Sequence, residues 1–535
     1  MKLLRLKIIK ADTCGGLLDG LDINFRSGID DPTGLTNSFS PLCLIGPNGT
    51  GKSQILQIIA EIFQATFHRF LPEEEQANDT GNIEFEIEYY IPVPDDCPEK
   101  VRIFRRKVGS TKASIVIERF SEDGWSLIPD TDLESIKSLL PSKVIGYTSG
   151  DNETLSIPFF VSRAGYAKQV TENAIDPKKK SHKIQDTRML LIDYGTNLEV
   201  LISNLLLNPD AVRSSLLEKL NLSSLNSFRC VIQLNHAQAP GKKGVEVTDE
   251  LQNYIDYLKK CSTTFQVDLA KKIYKFDFFV GSETYKAFNY YWKDGALDLY
   301  SCFHKLAMLN DLIIPKAART AFNRGIVSRK FSTRLPEPFD DHKVFRFERV
   351  EFISKKSKKN IDYVSLSDGE HQLAQLLGTV CMASFPNVLF LLDEPESHFN
   401  PRWRVEFLSN LLNLPTATGK RIENSKPAQQ DCLITTHAPF VPSDMKSENV
   451  LIFNKDSDNL AVRLPNIETY GSTFDTILEE CFKISPPMSD LPKVEIEHLL
   501  QSDSIDEIKQ AMSGLGDSVE RMYLADRIRM LKTRK

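Results

Sequence analysis

From residue 41 the chain reads Pro-Leu-Cys-Leu-Ile-Gly-Pro-Asn-Gly-Thr-Gly-Lys-Ser-Gln-Ile-Leu-Gln-Ile-Ile-Ala. A short apolar run, a glycine-rich turn and an apolar-periodic segment spell strand, loop and helix. The loop satisfies G-x-x-x-x-G-K-[ST] between Gly46 and Ser53, in the setting that this phosphate-binding motif requires. Its glycines allow several backbone N–H groups to turn inward, and a helix beginning near Lys52 adds its positive end. On this reading Gly46, Pro47, Asn48, Gly49, Thr50 and Gly51 cradle a polyphosphate. Lys52 reaches its β- and γ-phosphates, and the Ser53 hydroxyl ligates Mg2+. The rest of the chain must fit around that frame.

The segment before the loop alternates as a strand does at Leu4, Leu6 and Ile8, with Leu21 to Arg26 as its hairpin mate. After the helix, Asn82 to Ile91 places Ile83, Phe85, Ile87, Tyr89 and Ile91 on one face and Glu84, Glu86, Glu88 and Tyr90 on the other, a half-buried antiparallel strand. Val101 to Val108 and Ala113 to Phe120 continue that sheet, and Lys143 to Tyr147 reads as a more buried strand. From 151 to 345 the pattern turns helical, with Leu190 to Leu207, Val212 to Leu220, Asp249 to Lys260 and Asp298 to Leu312 as helices. This stretch is far longer than a loop needs, so it is read as an insertion.

Within the insertion, Lys316 to Arg334 and Lys178 to Lys180 are basic clusters, fit either to contact nucleic-acid phosphates or to form a solvated face. Phe288, Tyr290, Tyr291 and Trp292 fit base stacking or a helical core. The 41% hydrophobic content supplies substantial cores, and no apolar run reaches the length of a membrane span. A cytoplasmic protein with no membrane contact is expected. A net charge of −6 argues against indiscriminate nucleic-acid binding.

A second set of polar residues follows the insertion. In Leu366-Ser-Asp-Gly-Glu370, Ser367, Gly369 and Glu370 fit a helix cap or a phosphate-binding helix start. Asn387 to Glu396 is an apolar run ending in acids, read as a buried parallel strand whose carboxyl end faces a ligand. The acids divide the labour: Asp393 holds the Mg2+ system, and Glu394 accepts a proton from the attacking water or orients it. Asp431 to His437 is another such strand, and His437 at its end is placed to bond the γ-phosphate.

In sequence and order, Gly46–Ser53, Leu366–Glu370, Asp393–Glu394, Glu396–Phe399 and His437 resemble the Walker A, signature, Walker B, D-loop and switch-histidine motifs of ABC ATPases. The form Leu-Ser-Asp-Gly-Glu is similar to the SMC and RecF-like branch. The resemblance implies an α/β fold: an ABC/SMC-head-like P-loop NTPase core with an antiparallel β subdomain and a large, mainly helical insertion. Residues 1–150 and 346–480 are then the two halves of the core, 151–345 the insertion, and 481–535 a helical tail. It also implies ATP with Mg2+ in a head-to-tail homodimer, or a higher even oligomer, in which Ser367 and Gly369 of one chain face the phosphates held by Lys52 of the other. No glutamine after Tyr147 is placed for a Q-loop.

Asp393-Glu-Pro-Glu-Ser-His-Phe-Asn-Pro401, Thr436-His-Ala-Pro439 and Tyr470 to Leu478 are further similar to ATPases of anti-phage systems, among them OLD proteins and the PtuA-type ATPases of Septu and retron systems. That likeness implies a sensor ATPase controlling a separate HNH-type, PtuB-like nuclease, with DNA, tRNA or msDNA as a further partner. Two alternatives stand beside it. One is a HEPN-type nuclease using the Arg229 and His236 spacing; the other is a RecF/SMC-like repair ATPase.

Overall fold

The structure, a computed structural model, describes residues 1–27, 29–77, 83–93, 97–107, 113–149, 154–174, 176–192, 194–235, 245, 247–327, 338–416, 419–421, 425–456 and 459–533. A seven-stranded sheet lies at its centre. Its strands in chain order are β1 (Leu42–Ile45), β2 (Lys143–Thr148), β3 (Met189–Ile192), β4 (Val388–Asp393), β5 (Asp431–Thr436), β6 (Val450–Asp456) and β7 (Asn459–Arg463). Across the sheet the order is β7-β6-β1-β5-β4-β2-β3, parallel throughout except for β7.

The three strands at its centre, β1, β5 and β4, are buried along their whole length. Alternate residues serve two separate cores. Cys43, Ile45, Phe390, Leu392 and Ile434 enter one, while Leu42, Leu44, Leu389, Leu391 and Leu433 enter the other. A sheet covered on both faces explains why these strands read as continuous apolar runs. It also leaves their carboxyl ends as the place where polar side chains gather.

On the second face lie helix α1 (Lys52–Phe70) and a six-stranded antiparallel sheet that includes Lys2–Ala11, Asp22–Asn24 and Ile83–Ile91. The alternation read in Ile83–Ile91 holds for the apolar side. On its other side Glu86 and Glu88 are buried too, with Arg5, Lys100 and Arg106 lying across them, while Glu84 and Tyr90 are half-buried. At the amino end of β5, Asp431 accepts from Leu3 N at 2.7 Å and pairs with Arg26 at 2.8 Å, which fastens the N-terminal hairpin to the central sheet.

Helix α2 (Ser156–Asn173) gives Phe159 to the second core and Tyr166, Ala167 and Val170 to the first, while helix α3 (Asn197–Leu207), helix α4 (Ala296–Met308) and helix α5 (Asp368–Met382) lie on the first face. The inserted segment is not helical throughout. Leu222–Gln233, Thr264–Asp268 and Ile273–Phe279 join Phe345–Ser354 and Asn360–Asp362 in a five-stranded antiparallel sheet. The single helix expected over Leu190 to Leu207 is instead two elements, β3 and α3. A short apolar run suits either state, and pairing with β2 decides for strand. Phe288 and Trp292 belong to the core, whereas Tyr290 is exposed.

The basic run from Lys316 begins as the helix Lys316–Val327, and Arg329, Lys330 and Arg334 lie outside the described residues. The tail forms the helices Asp490–Gln501, Ile505–Gly514 and Val519–Thr533 around a small core of its own. No helix among the described residues is long and apolar enough to cross a membrane.

His304 on α4 is stacked between Tyr166 of α2 and Tyr300, with ring centroids 6.0 and 5.3 Å away. Burial, reinforced by Arg163, lowers its pKa to about 3. Between that value and 6.5 the unfolded chain binds a proton that the folded chain does not. The neutral ring's contribution is therefore whole above pH 6.5 and is lost as pH falls below it. Urea unfolding should show this as ~1.4 kcal/mol per pH unit within that window, and His304→Phe should remove that part of the slope.

Candidate functional site

The loop between β1 and α1 is shaped by three glycines with positive φ: Gly46 (146°), Gly49 (77°) and Gly51 (79°). At Gly46 there is also no room for a side chain, since a Cβ would lie 2.1 Å from the carbonyl oxygen of Phe453 on β6. Pro47, Asn48 and Gly49 face solvent, and the Thr50 hydroxyl donates to the Pro47 carbonyl at 2.8 Å. Lys52 folds back over the loop, its Nζ donating to the Gly46 and Pro47 carbonyls, each at 2.9 Å. Burial lowers its pKa to about 8, with Glu394 and Asp393 acting in the opposite sense.

The two acids lie two strands away in the sheet, across β5. Asp393 Oδ1 accepts from Ser53 Oγ at 2.8 Å and from Thr435 Oγ1 at 2.5 Å. The Glu394 backbone N–H donates to that same Thr435 hydroxyl at 3.0 Å. Thus one threonine at the end of β5 fixes both acids at the end of β4. Burial pushes the Asp393 carboxyl upward, opposed by these hydroxyls. Glu394 has φ 45°, a conformation a non-glycine residue holds only when its surroundings impose it. Its Oε1 lies 3.2 Å from His437 Nε2, and that contact holds the Glu394 carboxyl below its ordinary value despite partial burial.

Ser367, Gly369 and Glu370 stand apart from this group. Ser367 caps α5, and its N–H and hydroxyl both donate to Glu370 Oε2 at 2.8 Å. A Cβ on Gly369 would approach the His398 carbonyl at 3.3 Å and the Trp403 ring at 3.4 Å. The first turns of α5 are anchored by Gln372, which donates to the Ser149 carbonyl just beyond β2. β2 lies three strand spacings from β1, about 14 Å. Ser367 is exposed and Gly369 half-exposed at the start of α5.

The described part of the strand end where a coupling glutamine would sit has Thr148 and Ser149 instead. Arg229 lies on the strand Leu222–Gln233 and is engaged by Asp277 at 2.6 Å and Glu348 at 3.4 Å, while His236 lies outside the described residues. Sequence reasoning places Glu396 in the turn Glu396–Phe399 and Thr436 beside His437 without giving either a role of its own, and it leaves Thr435 unmarked. The available signal was two hydroxyls closing an otherwise apolar strand.

The ligand set fits a polyphosphate with Mg2+: a glycine loop that excludes a Cβ, a buried ammonium, and hard oxygens on Ser53 and Asp393 within one hydrogen-bonded group. The fold is an α/β core with a phosphate-binding glycine loop and two acids gathered at the carboxyl ends of its parallel strands. Residues 265–444 match the family described as "AAA domain, putative AbiEii toxin, Type IV TA system". That match spans the acids and His437 but not the glycine loop, and it covers less than half of the chain. Among solved structures, the SMC head domain from Thermotoga maritima is similar at 11% identity and a TM-score of 0.33, covering 87% of this chain and 100% of that one. No curated protein matches the chain.

Replacing Gly46 by Ala should force the loop away from β6. Overpacking of this kind costs about 1–3 kcal/mol, so titration with a fluorescent ATP analogue should show nucleotide affinity reduced roughly tenfold or more.

Proposed function

We propose that the chain binds and hydrolyses ATP as the regulatory subunit of a bacterial anti-phage system. The observation that carries the ATPase reading is the Ser53–Asp393–Thr435–Glu394 group, which joins the phosphate loop to a carboxylate paired with His437. In this proposal Gly46 to Lys52 hold the phosphates, and Ser53 and Asp393 hold Mg2+, which neutralises charge on the β- and γ-phosphates. Glu394, kept ionised by His437, takes the proton of the attacking water, and His437 is left facing the γ-phosphate.

Ser367 and Gly369, exposed and half-exposed at the start of α5, serve the site of a second copy, so hydrolysis requires a homodimer or a higher even oligomer. The defence role rests on the motif pattern from Asp393 to Pro401 and on the partial family match described in terms of a toxin system. It assigns the output to a separate HNH-type nuclease, with DNA, tRNA or msDNA as a further ligand, in the cytoplasm.

With MgATP, the wild-type chain should release phosphate. Glu394→Gln should bind ATP within about twofold of wild type while losing roughly 100-fold or more in turnover, as expected when a general base is removed. Turnover unchanged in Glu394→Gln would exclude this role. Nucleic-acid cleavage should appear only when the nuclease subunit is added; cleavage by the chain alone would overturn the division into sensor and effector.

A further inference from the structure

Immediately after the two acids the chain makes a tightly held turn. Ser397 N donates to the Glu394 carbonyl at 3.1 Å and Phe399 N to the Glu396 carbonyl at 3.0 Å. Arg404 closes the turn by donating to the Ser397 and Phe399 carbonyls at 2.7 and 2.9 Å. Inside it, the Glu396 side chain is 3% exposed and accepts from the Thr436 hydroxyl through Oε1. That hydroxyl accepts in turn from the Ala438 N–H at 2.9 Å, so the two ends of the Thr436-His437-Ala438 turn are tied to one oxygen.

The other Glu396 oxygen, Oε2, is buried with no described partner, as is the Tyr147 hydroxyl of β2. Following β4 and bonded to the last residue of β5, Glu396 lies at the carboxyl ends of the sheet. Burial pushes its own carboxyl up to about 6. A buried carboxyl in an apolar layer is costly where packing alone would suffice.

We propose that Glu396 is a positioning residue for the hydrolytic pair. Through Thr436 it sets the turn that presents His437 to Glu394, joining the segment after β4 to the segment after β5. This deepens the ATPase reading and rests on it. In Glu396→Ala the acceptor is lost, and in Thr436→Val the hydroxyl is lost while the shape is kept. Glu396→Gln keeps an oxygen for Thr436 and removes only the ionisable group.

The test compares these variants, and the Glu396→Ala/Thr436→Val double variant, with wild type for MgATP turnover and for binding of a fluorescent ATP analogue. The ring 15N resonances of His437, assigned with His437→Ala, are recorded in parallel. Thr436→Val and Glu396→Ala should each lower kcat about tenfold or more, as small misplacements of reacting groups do. Affinity should stay within about twofold. The double variant should be no slower than the worse single, because the two residues act as one unit. Glu396→Gln should retain kcat within about threefold, and the His437 resonances should move in Thr436→Val and Glu396→Ala but not in Glu396→Gln.

Wild-type kcat in Thr436→Val, multiplicative losses in the double variant, or unmoved His437 resonances would overturn the proposal. Thr436→Val keeps the test open if Glu396→Ala does not fold. A wild-type chain without hydrolysis would overturn the ATPase reading instead, and the positioning of His437 would then be decided by its resonances alone.

Discussion

One carboxylate oxygen holds the molecule's two halves in register. Asp393 Oδ1 takes a hydroxyl from Ser53 and another from Thr435, and so binds the start of α1, the end of β4 and the end of β5 to a single point. Ser53 and Asp393 are 340 positions apart in the chain. A buried carboxylate without these donors would carry the full cost of desolvation. The three elements must therefore meet with their strands in the observed parallel register, Asp393 beside Thr435 and Thr436 beside Ile45.

The two-sided burial of the sheet serves the same arrangement. Residues that point alternately into two apolar cores leave the strands no freedom to slip, since a shift by one residue would exchange the cores' contributions. Strand ends are then the one place where polar groups can converge. The insertion contributes β3 to the sheet's far edge and packs α3 against α5, where Asn204 donates to the Gly378 carbonyl at 2.9 Å and Asn197 to that of His371 at 3.2 Å. The inserted segment and the helix that begins at Ser367 are thereby continuous in packing.

Much of this was legible in the sequence because it rests on local rules. Gly46 to Ser53 needs only its own glycines and the helix after it, and the apolar run into Asp393 and Glu394 announces a buried strand by composition. The alternation of Ile83 to Ile91 correctly marks one face, yet it missed that Glu86 and Glu88 are also covered, because their cover comes from Arg5, Lys100 and Arg106 on other strands or beyond them.

Leu190 to Ile192 was beyond reach for a related reason. Its apolar residues suit helix and strand equally, and only the neighbouring β2 settles the matter. The sheet formed by Leu222–Gln233 with Phe345–Ser354 pairs residues more than a hundred positions apart. Glu396 and Thr436 each fall within a motif the sequence shows, but their relation to one another exists only once β4 and β5 are side by side.

In the proposed dimer one chain supplies the phosphate loop, both acids and His437, and a second copy supplies Ser367 and Gly369. Mixing Lys52→Ala chains with Ser367→Arg chains tests this most directly. Neither variant alone should hydrolyse ATP. A mixture in which subunits exchange freely should recover about a quarter of wild-type activity, because half of the dimers are mixed and each mixed dimer holds one intact site. Full activity of Ser367→Arg alone, or no recovery on mixing, would contradict the account.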